Sequence, residues 1–205
     1  MKVVYSELFK KVKFDKISFE KLEQVLPEKI FLAYTIQYKK FALDMKKRLG
    51  KRVVGFSQVL GCSKIKPQDT VLLLSEGRFH ALGLLKYAKT IIVFDGENFI
   101  KLGKKDIEEM HNKNLIKFKK ILASEEIGIL LSTKHGQYNI KQAEAIKERL
   151  VGIGKKPFIF FFDTLNKYEL ENFGIRNYII ISCPGLSYDL DNIIDSETFL
   201  LLLEK

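Results

Sequence analysis

Two kinds of hydrophobic pattern alternate along this chain. Apolar runs at residues 29–35, 52–57, 70–74, 90–94, 127–133, 156–162 and 177–182 read as strands, that at 29–35 as one buried on both faces and those at 70–74 and 177–182 as buried, and residues 2–5 read as a further short strand. Between them the spacing turns helical. Residues 18–26 predict a helix stopped by Pro27, and residues 39–49 one with Phe41, Met45 and Leu49 on a stripe, stopped by Gly50. Residues 79–88 predict a short helix. Residues 104–124 predict a long one whose apolar stripe is Ile107, Met110, Ile116, Phe118 and Ile121. A helix should follow Gln137-Tyr138 as far as Leu150, another should span 164–173 with Thr164 as N-cap, and 190–203 should close the chain. Strand and helix alternate throughout, which predicts an α/β fold of βαβ units whose sheets are mostly parallel and flanked by helices.

The pattern also repeats. Thr35-Ile-Gln37-Tyr38 opens a helix that ends at Gly50, and Thr133-Lys-His-Gly-Gln137-Tyr138 opens one that ends near Gly152. Each half then places one cysteine just after a later strand. Two α/β domains are therefore expected, residues 1–124 with Cys62 and the Gly77–Gly83 loop, and residues 125–205 with Cys183.

Composition changes this picture in three respects. The 205 residues hold only two cysteines, Cys62 and Cys183, which in a reducing compartment suit a thiol or metal-ligand role better than a disulfide. The net charge of +10 is carried by lysine, since only five of the 35 basic residues are arginine. Such an excess fits a solvated surface or attraction to an acidic partner better than direct, sequence-specific nucleic-acid readout. No apolar run is long enough for a membrane span and the N-terminus does not read as a secretory leader, so a cytoplasmic protein is expected. His111, on the lysine-rich helix, reads as solvated surface.

Four ordered motifs go further: Gln58-Val-Leu-Gly-Cys62, Gly77-Arg-Phe-His80-Ala-Leu-Gly83, Ser132-Thr-Lys-His-Gly-Gln137 and Ser182-Cys183-Pro184. Together they resemble the second and third domains of archaeal diphthamide synthase, the 2-(3-amino-3-carboxypropyl)histidine synthase family. The resemblance implies repeated α/β domains that each donate one cysteine to a four-iron, four-sulfur cluster. It further implies that S-adenosylmethionine is cleaved there, and that its 3-amino-3-carboxypropyl group passes to a histidine of translation elongation factor 2. On that basis Cys62 and Cys183 are expected as iron ligands. Gly77, Arg78, Phe79, His80, Gln37 and Gln137 are expected to contact S-adenosylmethionine, with Arg78 and the amides of 77–80 on its carboxylate. Two departures from the family pattern stand out: His135 replaces a usual proline and Gly185 a usual arginine. The family's first domain, with its own cysteine, has no counterpart among the motifs, so a partner chain or a second copy is expected to supply the third thiolate. The alternative is a non-catalytic scaffold subunit that stabilises an active partner.

Overall fold

The computed structural model describes residues 8–204, so the strand expected at 2–5 lies outside the described residues. Two compact units divide the chain, Met1–Ile107 and Glu108–Lys205. The sequence reading set the division at 124. The structure sets it within the long helix, because Phe118 and Ile121 of that helix pack into the core of the second unit.

In the first unit the elements run α1 (Lys16–Val25), β1 (Ile30–Tyr34), α2 (Lys39–Leu49), β2 (Val53–Gln58), β3 (Gln68–Leu74), α3 (Phe79–Leu84), β4 (Ala88–Phe94) and β5 (Phe99–Leu102). They form a five-stranded sheet in the order β2-β1-β3-β4-β5, parallel except for β5 against β4. Asp15 caps α1 by accepting from the Ser18 amide at 2.7 Å. Gly50 ends α2 at φ +53°, a left-handed conformation that glycine adopts without a Cβ penalty. Leu32, Tyr34, Leu72, Leu74, Ile92 and Phe94 cover one face of the sheet and pack on Phe19 and Leu22 of α1 and Ala42, Met45 and Leu49 of α2. The alternate positions Ala33, Val71, Leu73, Ile91 and Val93 are buried as well. Burial on both faces is the physical origin of the continuous apolar runs.

The second unit begins within α4 (Lys104–Ala123), a helix that starts in the first unit, and then runs β6 (Glu126–Ser132), α5 (Ile140–Gly152), β7 (Lys156–Phe162), α6 (Lys167–Glu171), β8 (Tyr178–Ile181), β9 (Ile193–Asp195) and α7 (Ser196–Leu203). Its four strands are all parallel, in the order β7-β6-β8-β9. Counting from the first strand of each unit among the described residues, both sheets start 2-1-3-4, so the repeat read from sequence is real at the level of topology. One face buries Ile127, Ile129, Leu131, Ile179 and Ile181 under α4, α5 and α7. The other buries Leu130, Tyr178 and Ile180 against Leu170 and Ile175.

Several sequence expectations need correction. The expected closing helix at 190–203 begins only at Ser196, because residues 193–195 extend the sheet as β9. The helix placed at 164–173 is a short one whose N-cap is Asn166, accepting from Tyr168, while Thr164 lies outside it. On α4, Ile116 is exposed and Lys117 is buried, the reverse of the stripe read from sequence. No helix among the described residues is long and apolar enough to cross a membrane.

Candidate functional site

Parallel strands deliver their C-terminal ends to one edge of a sheet, and ligands of such folds bind where the strand order reverses there. In the first unit that edge carries Gln37 after β1, Cys62 after β2 and the Gly77–Gly83 stretch after β3. In the second it carries Gln137 after β6, Asp163 after β7 and Cys183 after β8. Within each unit, then, the residues singled out from sequence share an edge.

Cys62 sits in a tight turn. The Ser63 amide donates to the Leu60 carbonyl at 3.1 Å, and the Leu60 amide to the Ser63 hydroxyl at 2.8 Å. The turn presses on α3: a Cβ placed on Gly83 would stand 1.8 Å from the Gly61 carbonyl oxygen, and one on Gly61 would stand 3.2 Å from the Phe79 ring. Only glycine permits this backbone approach, so two of the sequence motifs meet through Gly61 and Gly83. The Cys62 side chain remains exposed.

Around α3 the expected residues fare differently. The Arg78 guanidinium pairs with the Asp106 carboxylate, which also accepts from the Gly103 amide at 3.0 Å in the first turn of α4. Phe79 is exposed and meets His80 edge to face at 5.3 Å. His80 is half-buried, its Nδ1 is enclosed without a hydrogen-bond partner among the described residues, and burial pushes its pKa below the ordinary 6.5. Gln37 is exposed, and its carbonyl accepts from the Lys10 amide at 2.8 Å. Gly77 has φ +64° and open space where a Cβ would lie.

The second unit has a cleft of about 220 Å³ at its strand edge, lined in part by Ser132, Lys134, Gln137, Asp163, Ser182 and Cys183. The Ser182 hydroxyl donates to Gln137 Oε1 at 2.6 Å, tying the loop after β6 to the end of β8. That contact leaves the Gln137 amide nitrogen for another partner. Cys183 is half-buried and opens a 3-10 turn, Pro184–Ser187, in which its carbonyl accepts from Leu186 at 3.1 Å. Asp163 and Lys134 were not singled out from sequence. The usable signal for Asp163 is its place directly after a strand in the second βαβ repeat, where such clefts form.

Neither cysteine is in a disulfide. They occupy different units, and among the described residues no group of three or more His, Cys, Asp or Glu is placed to hold a metal. Both are thiols at strand ends, the donor chemistry of an iron–sulfur site, but two are one short of the three cysteines such a site uses when one iron is left for substrate.

Comparison with known proteins agrees with the motifs. The family model of diphthamide synthesis proteins matches residues 1–200. The 2-(3-amino-3-carboxypropyl)histidine synthase of Methanocaldococcus jannaschii is 27% identical over 168 residues, 79% of this chain and 46% of that protein. The synthase of the same name from Pyrococcus horikoshii is 26% identical over 147 residues, 64% of this chain and 40% of that protein. The chain therefore spans less than half the length of these curated relatives. The crystal structure of Dph2 from Pyrococcus horikoshii with a 4Fe-4S cluster superposes with a TM-score of 0.82 at 22% identity, over 96% of this chain and 64% of that one, a likeness of fold.

Proposed function

The chain belongs to the diphthamide synthesis protein family, and on that premise we propose that it is one component of an iron–sulfur 3-amino-3-carboxypropyl transferase. Its substrates on this reading are S-adenosylmethionine and a histidine of translation elongation factor 2, and it performs the first step of diphthamide formation in the reducing cytoplasm. The supporting observation is that each unit presents one cysteine at the ligand-binding edge of a parallel sheet, beside the motif residues of that unit. The relatives' names, 2-(3-amino-3-carboxypropyl)histidine synthase, support the reaction class.

On this reading Cys62 and Cys183 are two of three thiolate ligands to a four-iron, four-sulfur cluster, and a partner chain or a second copy gives the third. A cluster of this kind supplies one electron to a substrate bound at its open iron. The chain's own residues bind and orient. Neutral His80 offers an unpartnered ring nitrogen in a half-enclosed place, suited to a hydrogen bond with substrate. Gln137 offers its amide nitrogen to the cleft beside Cys183, and Gln37 stands at the equivalent strand end of the first unit. Arg78, with the amides of 77–80, is assigned to the substrate carboxylate. Asp106 occupies part of its guanidinium, so the carboxylate must share or displace that partner.

Anaerobic reconstitution with iron and sulfide, alone and with a partner that carries a third cysteine, tests the proposal. Visible absorbance and modification of the elongation factor should both appear in the complex, and both should vanish in Cys62→Ala and in Cys183→Ala. Full activity in both variants would overturn the ligand assignment. The second reading, a scaffold subunit, is favoured by the occupied Arg78. It requires that only removal of the whole chain lowers activity.

A further inference from the structure

Lys117 inverts the expected pattern of α4. Its neighbour Ile116 is 56% exposed, while Lys117 is 4% exposed and buried one turn before Ile121 on the same face. Burying an ammonium is costly unless it is paired and hydrogen-bonded, so a lysine in this place needs partners. It has one in direct contact: Nζ donates to the Ser187 carbonyl. Around it lie the carboxylates of Asp189, Asp191 and Asp195 and the ammonium of Lys113. Desolvation pushes the Lys117 pKa down while Asp191 and Asp195 push it up. Asp195 is itself buried and caps α7 through the Thr198 amide at 3.0 Å.

Ser187 closes the turn that Cys183 opens. Its hydroxyl donates to the Pro184 carbonyl at 2.7 Å, Leu186 N–H to the Cys183 carbonyl at 3.1 Å, and Tyr188 N–H to the Gly185 carbonyl at 3.2 Å. Those three bonds are local, whereas the one from Lys117 reaches the turn from a helix 70 residues away in sequence. We infer that Lys117 is a positioning residue: its buried ammonium anchors the Cys183–Tyr188 turn to α4 and so fixes where the Cys183 thiol stands. The inference deepens the proposed role of Cys183 and rests on it for its functional meaning, but its geometry holds whether or not iron is bound.

The test is alkylation of the two thiols in the 205-residue chain, read by mass spectrometry of the two cysteine peptides, with Cys62 as internal control. In Lys117→Met the Cys183 rate should rise about tenfold, the change expected for losing one charge-assisted hydrogen bond, while the Cys62 rate stays fixed. Lys117→Arg, which keeps a charged donor, should return the Cys183 rate toward wild type. A folded Lys117→Met chain with both rates within twofold of wild type would overturn the inference, as would equal acceleration of both thiols. Should Lys117→Met not fold, hydrogen exchange of the wild-type chain decides. The Leu186 and Tyr188 amides should be protected as strongly as those of β8, and exchange as fast as the Ser63 amide would sink the anchor. Failure to bind iron with Cys183 still shielded would count against the ligand reading alone.

Discussion

The two units solve the same placement problem with different chemistry. Both sheets start 2-1-3-4, yet among the described strands Cys62 follows the second of its unit, at the sheet edge, whereas Cys183 follows the third of its own, which lies inside the sheet. The first thiol is exposed on a turn held by backbone-to-backbone approach at Gly61 and Gly83. The second is half-buried on a turn held by a side-chain cation and bordered by a polar cleft. A duplicated fold therefore does not duplicate its reactive positions. What it preserves is the sheet edge, and each copy places its cysteine on that edge by local means.

The sharpest way to separate the two solutions is to crowd each unit in turn. Gly83→Ala should destabilise by about 3 kcal/mol, the upper range for overpacking, because the new methyl meets backbone rather than a movable side chain. Urea denaturation would measure this, and the Cys62 alkylation rate should rise with the Cys183 rate unchanged. Gly128→Ala crowds the buried Tyr178 ring, whose nearest atom would stand 2.1 Å from the new Cβ. It should cost a comparable amount and leave Cys62 untouched. Equal response of both thiols to either variant would break the comparison.

Asp195→Ala should cost about 2 kcal/mol. It removes an N-cap and one of the carboxylates facing the buried Lys117. Asn139→Ala, which uncaps α5 without touching that lysine, should cost nearer 1 kcal/mol by the same measurement. An equal loss in the two variants would show that Asp195 acts only as a cap. Ser182→Ala should cost about 1 kcal/mol by removing the hydroxyl that holds Gln137, with no effect on Cys62 reactivity.

The smallest effect concerns pH and belongs to the first unit alone. The folded-state pKa of His80 lies below 6.5, so as pH falls the unfolded chain takes up this proton first. Stability from His80 is therefore complete above about pH 6.5 and declines between there and the lower folded value. His80→Gln should flatten that part of the unfolding-versus-pH curve, and an unchanged slope would contradict the burial argument.

Strands β1, β3, β4, β6 and β8 were legible because burial on both faces writes itself as uninterrupted apolar runs, whereas β2 and β7, at the edges of the described sheets, are apolar yet partly exposed. Strand β5 was not legible, since it is a four-residue antiparallel strand in which both Ile100 and Lys101 are exposed. Nor was β9, whose three residues are too short to show a period. The motifs located the candidate residues on their strand ends, but their partners were hidden. Asp106 reaches Arg78 from a separate helix, and nothing local marks Gly61 and Gly83 as neighbours. Lys117 was missed, and Ile116 placed on the buried stripe, because apolar positions alone set the phase of α4, whereas the helix also buries a cation near acidic residues far along the chain.

The Gly61–Gly83 contact also bears on how this sequence can drift. A side chain at 83 collides with the carbonyl at 61, and one at 61 is tight against Phe79, so three positions on two elements form a locked set. Change must come in concert or begin with the ring at 79, the one member able to shrink without a backbone shift. Among diverging descendants of this chain, the neighbourhood of Cys62 should therefore be replaced as a block, while the turn after Cys183, whose fastening is a flexible side chain, is free to vary one residue at a time.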